Sequence, residues 1–258
     1  MLLHEFDPEK RAVFNPTDVV APVVDMPKIA VSCFARETFS RMVERLGGVQ
    51  IAQSSCANMV FPVYRVEYCG VPLALMMAGV GAPLCIGGFE ELFAMGVETV
   101  VLFGTCGVLE RSIGDCSVII PTSALRDEGT SFHYAPPSDE IEVNRKHREL
   151  FTALLDELGC AYTTGKTWTT DAIYRETREK MERRRTAGCV CVDMECSAMA
   201  ALAQFREKDV FQFFYAADNL DAEQWDKRSL SNDDRLEDKD RVAQLALELA
   251  VRIGREVS

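Results

Sequence analysis

Short apolar runs alternate along this chain with longer segments in which apolar residues recur at helical spacing. This rhythm is typical of α/β layering, in which helices cover a largely buried sheet. The predicted strands are 28–33, 60–68, 73–78, 99–103, 116–121, 160–167, 189–192 and 210–216. The predicted helices are 38–46, 83–95, 144–158, 174–185, 197–205 and 235–257.

Two segments lack both patterns and are predicted to be long ordered loops. Residues 124–142 contain two adjacent prolines between polar flanks, and residues 218–234 are dense in Asp and Asn around Trp225. Loops of this length within a domain are usually functional or disordered, and their aromatic residues favour function. Because no repeat, linker or break in composition is present, residues 1–258 are predicted to form a single domain, with 1–27 as an N-terminal extension.

Composition and charge narrow the classes of function. A formal net charge of −12 argues against a nucleic-acid interface, which needs clustered Lys and Arg. Ten cysteines are scattered through apolar runs and no secretory segment opens the chain, so we expect reduced thiols in a cytoplasmic protein. The three histidines lack metal-ligand spacing, which predicts no metal site, and no apolar run approaches the roughly 20 residues of a membrane span.

Two carboxylates flank a methionine where an apolar run gives way to small, helix-forming residues, at Asp193, Met194 and Glu195. An ionised carboxylate can accept the protons of two neighbouring sugar hydroxyls, and a thioether can pack under the ring. The alternative is a solvated acidic cap that complements the helix dipole. This run alone leaves both interpretations open.

Glycine-containing turns end two of the predicted strands, at 78–83 and 103–108. Such turns let a ligand approach the backbone, and a following helix N-terminus favours an anion. Ordinary turn chemistry is the alternative. Neither turn has the spacing of a Rossmann fingerprint or a P-loop, which disfavours a dinucleotide or ATP site.

Five segments stand in a fixed order: Gly79-Val80-Gly81-Ala82-Pro83, Gly104-Thr105-Cys106-Gly107, Thr169-Thr170-Asp171-Ala172-Ile173-Tyr174, Asp193-Met194-Glu195 and Ala217-Asp218-Asn219. In order and spacing they resemble the nucleoside phosphorylase family, which includes hexameric purine nucleoside phosphorylases and uridine phosphorylases. The resemblance extends from about residue 28 to residue 252. It implies a single three-layer α/β/α domain with a mixed, partly barrel-like central sheet. It also implies a pentosyltransferase in which phosphate attacks C1′ of a nucleoside and releases the base.

The resemblance implies roles for the acidic residues. Glu195 would accept the 2′ and 3′ hydroxyls of ribose beside Met194, and its charge would stabilise an oxocarbenium-like transition state. Asp218 would donate a proton to N7 of a purine, which requires a raised pKa, and Arg228 would assist it. Asp193 is also expected to support the helix start. The other substrate-binding residues implied are Val80, Gly104, Thr105, Thr170, Ile173, Tyr174 and Arg178.

The phosphate site departs from the family pattern. Arg36 and Thr105 match it, but Ser32 replaces a glycine and Leu102 replaces an arginine. Arg126 lies in a loop that resembles the corresponding loop of uridine phosphorylases and is a further candidate, with a salt bridge within the loop as the alternative. The predicted phosphate-binding residues are therefore Arg36, Ser32, Thr105 and Arg126.

These residues leave several functions open. Phosphorolysis of purine nucleosides is favoured by Asp218, and uridine phosphorylase by the loop of Arg126. Against uridine, Thr177 and Glu179 stand where the family has its uracil-reading Gln and Arg. Loss of the arginine at Leu102 raises the possibility of a nucleosidase that uses water, and a non-catalytic nucleoside-binding protein is the alternative outside enzymes.

The resemblance also implies the partners. They are a nucleoside and inorganic phosphate as co-substrate, with no organic cofactor and no metal. The family implies a homo-oligomer, a dimer or a hexamer, whose sites lie at subunit interfaces. His4 resembles a family histidine that reaches the neighbouring subunit's site.

Overall fold

A computed structural model describes residues 2–231 and 233–257, and the apolar runs of the sequence form its central strands. In the first of them every residue is buried. Strands covered on both faces read as continuous apolar runs rather than as alternating ones. The strands are β1 (Ile29–Cys33), β2 (Val49–Cys56), β3 (Met59–Tyr68), β4 (Val71–Met77), β5 (Thr99–Val108), β6 (Val118–Asp127), β7 (Glu140–Glu142), β8 (Tyr162–Thr170), β9 (Cys189–Asp193) and β10 (Asp209–Asn219).

The helices follow the segments of helical periodicity. Pro83 stands in the first turn of the helix that follows Gly81, where a missing N–H costs no hydrogen bond. Short 3₁₀ turns lie at Leu2–His4, Thr130–His133 and Ile173–Arg175. The α-helices are α1 (Pro16–Val19), α2 (Arg36–Arg45), α3 (Ala82–Met95), α4 (Arg148–Glu157), α5 (Arg178–Thr186), α6 (Cys196–Arg206) and α7 (Leu236–Val257).

Five strands close into a ring in the order β5–β10–β6–β8–β9. β10 runs parallel to β5, whereas β9 runs antiparallel to it and closes the ring. From β5 the sheet also extends outward through β1, β4, β3 and β2, and β7 is added at β6. The mixed, partly barrel-like sheet that the resemblance implies is therefore confirmed.

Helices cover both faces of this sheet. On one face α7 contacts β1, β4 and β5 and is flanked by α2 and α4. Its apolar side packs into a core that includes Val31, Phe103 and Leu249. On the other face α3 and α6 contact each other and share a second core with Phe89 and Leu202. The two helical layers confirm the three-layer α/β/α architecture.

The apolar pattern does not predict β2. Among its eight residues only Ser54 is buried, because the strand lies at the edge of the sheet and, of the strands in the described residues, pairs with β3 alone. A strand with so few buried positions carries little hydrophobic signal.

The prediction of one long loop over 124–142 is wrong. β6 continues to Asp127, and residues 140–142 form β7 against it. α5 also begins at Arg178 rather than at 174, because residues 173–175 form a 3₁₀ turn and the Thr177 hydroxyl accepts a hydrogen bond from the Lys180 N–H. Both segments are rich in polar residues, so the apolar pattern does not predict β7 or the 3₁₀ turn.

The N-terminal residues lie against α3 and α6. The ring of Phe6 packs edge-on against Phe205, with 6.4 Å between ring centroids. The Arg206 guanidinium donates to the carbonyl of Lys10 at 2.9 Å. Among the helices of the described residues, none has the length and apolar character needed to cross a membrane.

Candidate active site

A cavity of about 720 Å³ opens beside β5, β9 and β10. Its size suits a drug-sized organic ligand. Of the predicted site residues, those in its wall are Val80, Thr105, Ile173, Tyr174, Arg178, Asp193, Met194, Glu195 and Asp218. The other lining residues are Phe34, Cys106, Gly107, Glu176, Met181, Val192, Leu220, Trp225 and Leu230.

The strand register brings the acidic residues to this cavity. Asp218 of β10 pairs with Gly107 of β5, and Gly107 pairs in turn with Val192 of β9. β9 ends at Asp193 and α6 begins at Cys196. The ring therefore brings Asp218 and the residues that precede α6 to the same cavity, with β5 between their strands.

Asp193 is buried and holds the junction between β9 and α6. Its Oδ1 accepts the hydroxyls of Thr167 and Thr169 at 2.9 and 2.8 Å. Its Oδ2 accepts the backbone N–H groups of Glu195 and Cys196 at 2.8 and 2.6 Å. Burial raises its pKa, and these four donors oppose that effect. Asp193 thus supports the helix start, as expected, while also lying in the cavity wall.

Glu195 has fewer hydrogen-bond donors than Asp193, and among the described residues one donor reaches its carboxylate from another part of the fold. That donor is the Gly81 N–H, at 2.6 Å. Gly81 has φ of 93°, a left-handed conformation that glycine adopts without strain. Glu195 is 6% exposed, and burial together with the nearby charge of Asp193 raises its pKa to about 8.

Asp218 is also buried, at the end of β10. It accepts a hydrogen bond from the indole Nε1 of Trp225 at 2.8 Å. Burial raises its pKa above the usual range, whereas the Trp225 bond and the charge of Arg228 oppose the rise. Arg228 is not in the cavity wall, and its guanidinium donates to the Ile113 carbonyl and pairs with Asp226. The structure therefore places the arginine near the acid but binds it to the surrounding loop.

Glu176 is a fourth carboxyl in the cavity wall whose pKa is raised. Burial, followed by the charge of Asp218, raises its pKa to about 7, and Lys180 opposes this. The residue adjoins the predicted segment that ends at Tyr174. A charged side chain beside a substrate-binding segment is the signal that would have found it.

Apolar side chains form much of the rest of the wall. Val80, Ile173, Tyr174, Trp225 and Leu230 all belong to the cavity and are between 37% and 94% exposed. Exposed apolar groups gathered around a concave site typically mark a ligand-binding surface. Such walls suit a flat aromatic ring. Of these residues, Leu230 has no distinguishing signal in the sequence.

The predicted phosphate residues are not brought together. Ser32 is completely buried within the sheet, and its hydroxyl donates to the Met76 carbonyl. Arg36 opens α2 with its side chain 69% exposed and paired with Glu37. Thr105 alone of the four lines the cavity.

Arg126 braces its own loop. Its guanidinium donates to the Ser131 hydroxyl at 2.8 Å and to the carbonyls of Pro136 and Ala135 at 2.7 and 3.3 Å. It also lies 4.1 Å from the centre of the Phe132 ring. The bracing role resembles the predicted alternative, but its partners are carbonyls and a hydroxyl rather than a carboxylate.

Three further predicted residues, Gly104, Thr170 and Arg178, contact residues in or near the cavity wall. Gly104 leaves room for Phe34, since a Cβ there would lie 2.6 Å from that ring. Thr170 is buried, and its hydroxyl accepts the Ala172 N–H at 3.3 Å. Arg178, which lines the cavity, donates to the carbonyls of residues 220, 222 and 223 and so joins α5 to the loop after β10.

Comparison with known proteins agrees with this geometry. The model of the phosphorylase superfamily matches residues 28–256. A guanosine phosphorylase of Halorubrum lacusprofundi is 27% identical over 202 residues, which cover 76% of this chain and 79% of the relative.

Solved structures show the same fold. The structure of uridine phosphorylase from Vibrio fischeri ES114 has a TM-score of 0.78 and 20% identity, and the match covers 94% of this chain and 99% of that one. Purine nucleoside phosphorylase from Toxoplasma gondii in complex with immucillin-H has a TM-score of 0.72 and 19% identity, covering 90% and 93%. The predicted family, fold and pentosyltransferase class are confirmed. The chain belongs to the phosphorylase superfamily.

Proposed function

We propose that this protein catalyses the phosphorolysis of purine nucleosides to the free base and ribose 1-phosphate. The observation that carries this proposal is that one cavity gathers Glu195 and Met194 from the β9–α6 junction and Asp218 from β10. The raised pKa of Asp218 suits a proton donor, whereas Glu195, whose pKa is raised to about 8, must ionise to act on the sugar. Inorganic phosphate is the co-substrate, and the proposed reaction uses neither a metal nor an organic cofactor.

The sugar end of the reaction falls to Glu195. Its ionised carboxylate accepts the 2′ and 3′ hydroxyls, and Met194 packs against the ring carbons. As the bond from C1′ to the base breaks, positive charge develops on the sugar and the carboxylate stabilises it. The Gly81 N–H holds one carboxylate oxygen at 2.6 Å, which fixes the orientation of the group.

The base end falls to Asp218. In its protonated form it donates a proton to N7, so that the purine leaves as a neutral molecule. Burial favours that protonated form. Tyr174, Ile173 and Val80 provide apolar contact for the ring.

The phosphate is assigned to Thr105 and Arg36, without Ser32, which is buried and paired with strands on both sides. Thr105 lies in the cavity wall, and Arg36 follows Phe34, another lining residue, by two positions. The exposed Arg36 guanidinium is free to reorient, since its ion pair with Glu37 lies at the surface. We propose that a second copy of this chain completes the site in a homo-oligomer, and that the protein is cytoplasmic.

Hydrolysis is a second candidate because cations are scarce around the cavity. Among the described lining residues the arginine is Arg178, and its guanidinium already donates hydrogen bonds to backbone carbonyls. Leu102 is completely buried, and Arg126 is bound within its loop. A site with few cations binds phosphate weakly and would favour water as the nucleophile.

Base release from inosine, guanosine, adenosine, uridine and methylthioadenosine, each with and without phosphate, tests the proposal. We expect purine release that depends on phosphate and yields ribose 1-phosphate. Free ribose formed without phosphate would establish the hydrolase. Phosphate-dependent release from uridine alone would contradict the assignment to purines.

Trp225→Phe tests the acid at the base end. Removing the indole N–H takes away a hydrogen bond that favours the ionised form of Asp218, so the pKa of Asp218 should rise. We expect the alkaline limb of kcat to move upward by up to about one pH unit. Tyr174→Phe is the control, because Tyr174 lines the same cavity and is 94% exposed. An alkaline limb at an unchanged pH would show that the ionisation of Asp218 does not cause the loss of kcat at high pH.

A further inference from the structure

Glu176 stands out among the carboxyls of the cavity because no described residue donates a hydrogen bond to its side chain. Asp193 has four donors, Glu195 has the Gly81 N–H and Asp218 has the Trp225 indole. Glu176 is nevertheless half-buried in the cavity wall. A carboxylate withdrawn from water without donors is costly, so a ligand that brings N–H groups to it gains affinity.

The neighbours of Glu176 are engaged elsewhere. The Thr177 hydroxyl caps α5 by accepting the Lys180 N–H. Glu179 is 84% exposed and pairs with Arg183 at 2.6 Å. Thus neither residue at the positions of a uracil-reading Gln and Arg belongs to the cavity wall. Within this segment the carboxylate of Glu176 is the unoccupied acceptor that the cavity offers to a base.

The nearby charged groups leave the Glu176 carboxylate without an ion-pair partner among the described residues. The Lys180 ammonium pairs with Asp127 at 3.1 Å rather than with Glu176. Asp218, on β10, is the other carboxyl that acts on it electrostatically. When Asp218 is protonated, as the proposed reaction requires, the repulsion between the two groups falls and Glu176 ionises more readily.

The hydrogen-bonding edges of the bases then differ in how well they match a carboxylate. Guanine presents two adjacent donors, N1–H and the 2-amino group, and a carboxylate accepts both. Hypoxanthine presents the N1–H alone. Adenine places an unprotonated N1 beside its 6-amino group, and uracil flanks its one N–H with two carbonyl oxygens. In adenine and in uracil, an acceptor lone pair would therefore face an oxygen of the carboxylate.

We propose that Glu176 is the residue that reads the base, and that it selects 2-amino-6-oxopurine nucleosides. This inference rests on the proposed phosphorolysis of purine nucleosides and names the substrate class within it. Asp218 would protonate the five-membered ring, while Glu176 would bind the edge of the six-membered ring.

Glu176→Gln tests this inference, because an amide offers one donor and one acceptor in place of two acceptors. The change should lower the ratio of kcat/KM for guanosine to that for adenosine by roughly 5- to 150-fold, the range of one bidentate base contact. Most of the effect should appear in KM. The matched control is Glu179→Gln, on the solvent side of α5, which should leave the ratio within about twofold of the wild type.

Binding measurements keep the two proposals separate. An unchanged ratio in Glu176→Gln, or a wild-type protein that prefers adenosine or uridine, would overturn the role of Glu176. If no nucleoside releases base with phosphate, the proposed function fails instead. Calorimetric titration of wild type and Glu176→Gln with guanosine and adenosine then still decides the inference, since it predicts the same loss of preference in Kd. A thermal melt confirms that each variant is folded.

Discussion

Glu195→Gln is expected to reduce phosphorolysis roughly 10²- to 10³-fold while making the folded protein more stable at pH 8. The loss of turnover follows from charge. An amide can keep the 2.6 Å bond from the Gly81 N–H, but it cannot offset the positive charge that develops on the sugar. The measurement is kcat with guanosine or inosine at saturating phosphate.

The gain in stability follows from the pKa. Glu195 has a pKa of about 8 when folded against an ordinary value of 4.5, so the folded state holds a proton that the unfolded state has released between these values. The contribution of Glu195 to the free energy of unfolding therefore falls as pH rises from 4.5 to 8, by about 1.4 kcal/mol per unit. Glutamine does not titrate, so the variant escapes a penalty of roughly 3 to 5 kcal/mol at pH 8.

Thermal melts of both proteins at pH 5 and pH 8 measure this difference. The advantage of the variant should be small at pH 5 and amount to several degrees at pH 8. Glu149→Gln, on the exposed side of α4, is the control and should show neither effect. Unchanged kinetics in Glu195→Gln would remove Glu195 from the sugar site, and a melting difference independent of pH would show that its proton is not the cause.

Asp218→Asn is expected to reduce turnover of purine nucleosides roughly 10²- to 10⁴-fold, the usual contribution of a general acid. Asparagine retains the shape of the side chain and an acceptor for the Trp225 indole, but it has no proton to transfer to N7. A riboside that carries a nitrophenolate leaving group does not need that proton. Its phosphorolysis should therefore be nearly unaffected, and the measurement is the ratio of kcat for the two substrates.

The control for Asp218→Asn is Asp226→Asn in the same loop. Asp226 is exposed and pairs with Arg228, so its change alters the local charge without touching the cavity wall. Because the charge of Asp226 contributes to the raised pKa of Asp218, we expect a loss with purine nucleosides much smaller than that of Asp218→Asn, and full activity with the activated riboside. Equal losses for purine nucleoside and activated riboside in Asp218→Asn would assign a positional role to Asp218.

The sequence predicts the buried strands and the long helices well because apolar burial dominates them. β1, β5 and β10 are almost entirely buried, and their apolar runs mark them directly. β2 escapes prediction because it is an edge strand with polar side chains. The pairing of β10 with β5, one of the five pairings that form the ring, joins strands about 110 residues apart and has no local signal.

For the site, the sequence motifs predict the residues that strand ends carry, such as Glu195 and Asp218. They do not predict those whose position depends on loop geometry. Arg126 has the residue type of a phosphate ligand, yet its loop turns the guanidinium toward its own carbonyls. Glu176 belongs to no motif, and the 3₁₀ turn before it places it in the cavity wall. Residue type and spacing do not predict the backbone conformation of the Arg126 loop or of the turn before Glu176.

The closed ring and the loops beside it hold two different groups of cavity residues. Strand pairing places Asp218 opposite Gly107, and Gly107 opposite Val192, so the residues that we propose for sugar and leaving-group chemistry are held by the strands of the ring. Apart from Val80, the apolar residues and the carboxyl of Glu176 that we propose to contact the base lie in residues 173–178 and 220–230, outside the strands of the ring. Grafting these two segments from a relative with a different base preference should therefore transfer substrate choice onto an unchanged catalytic frame.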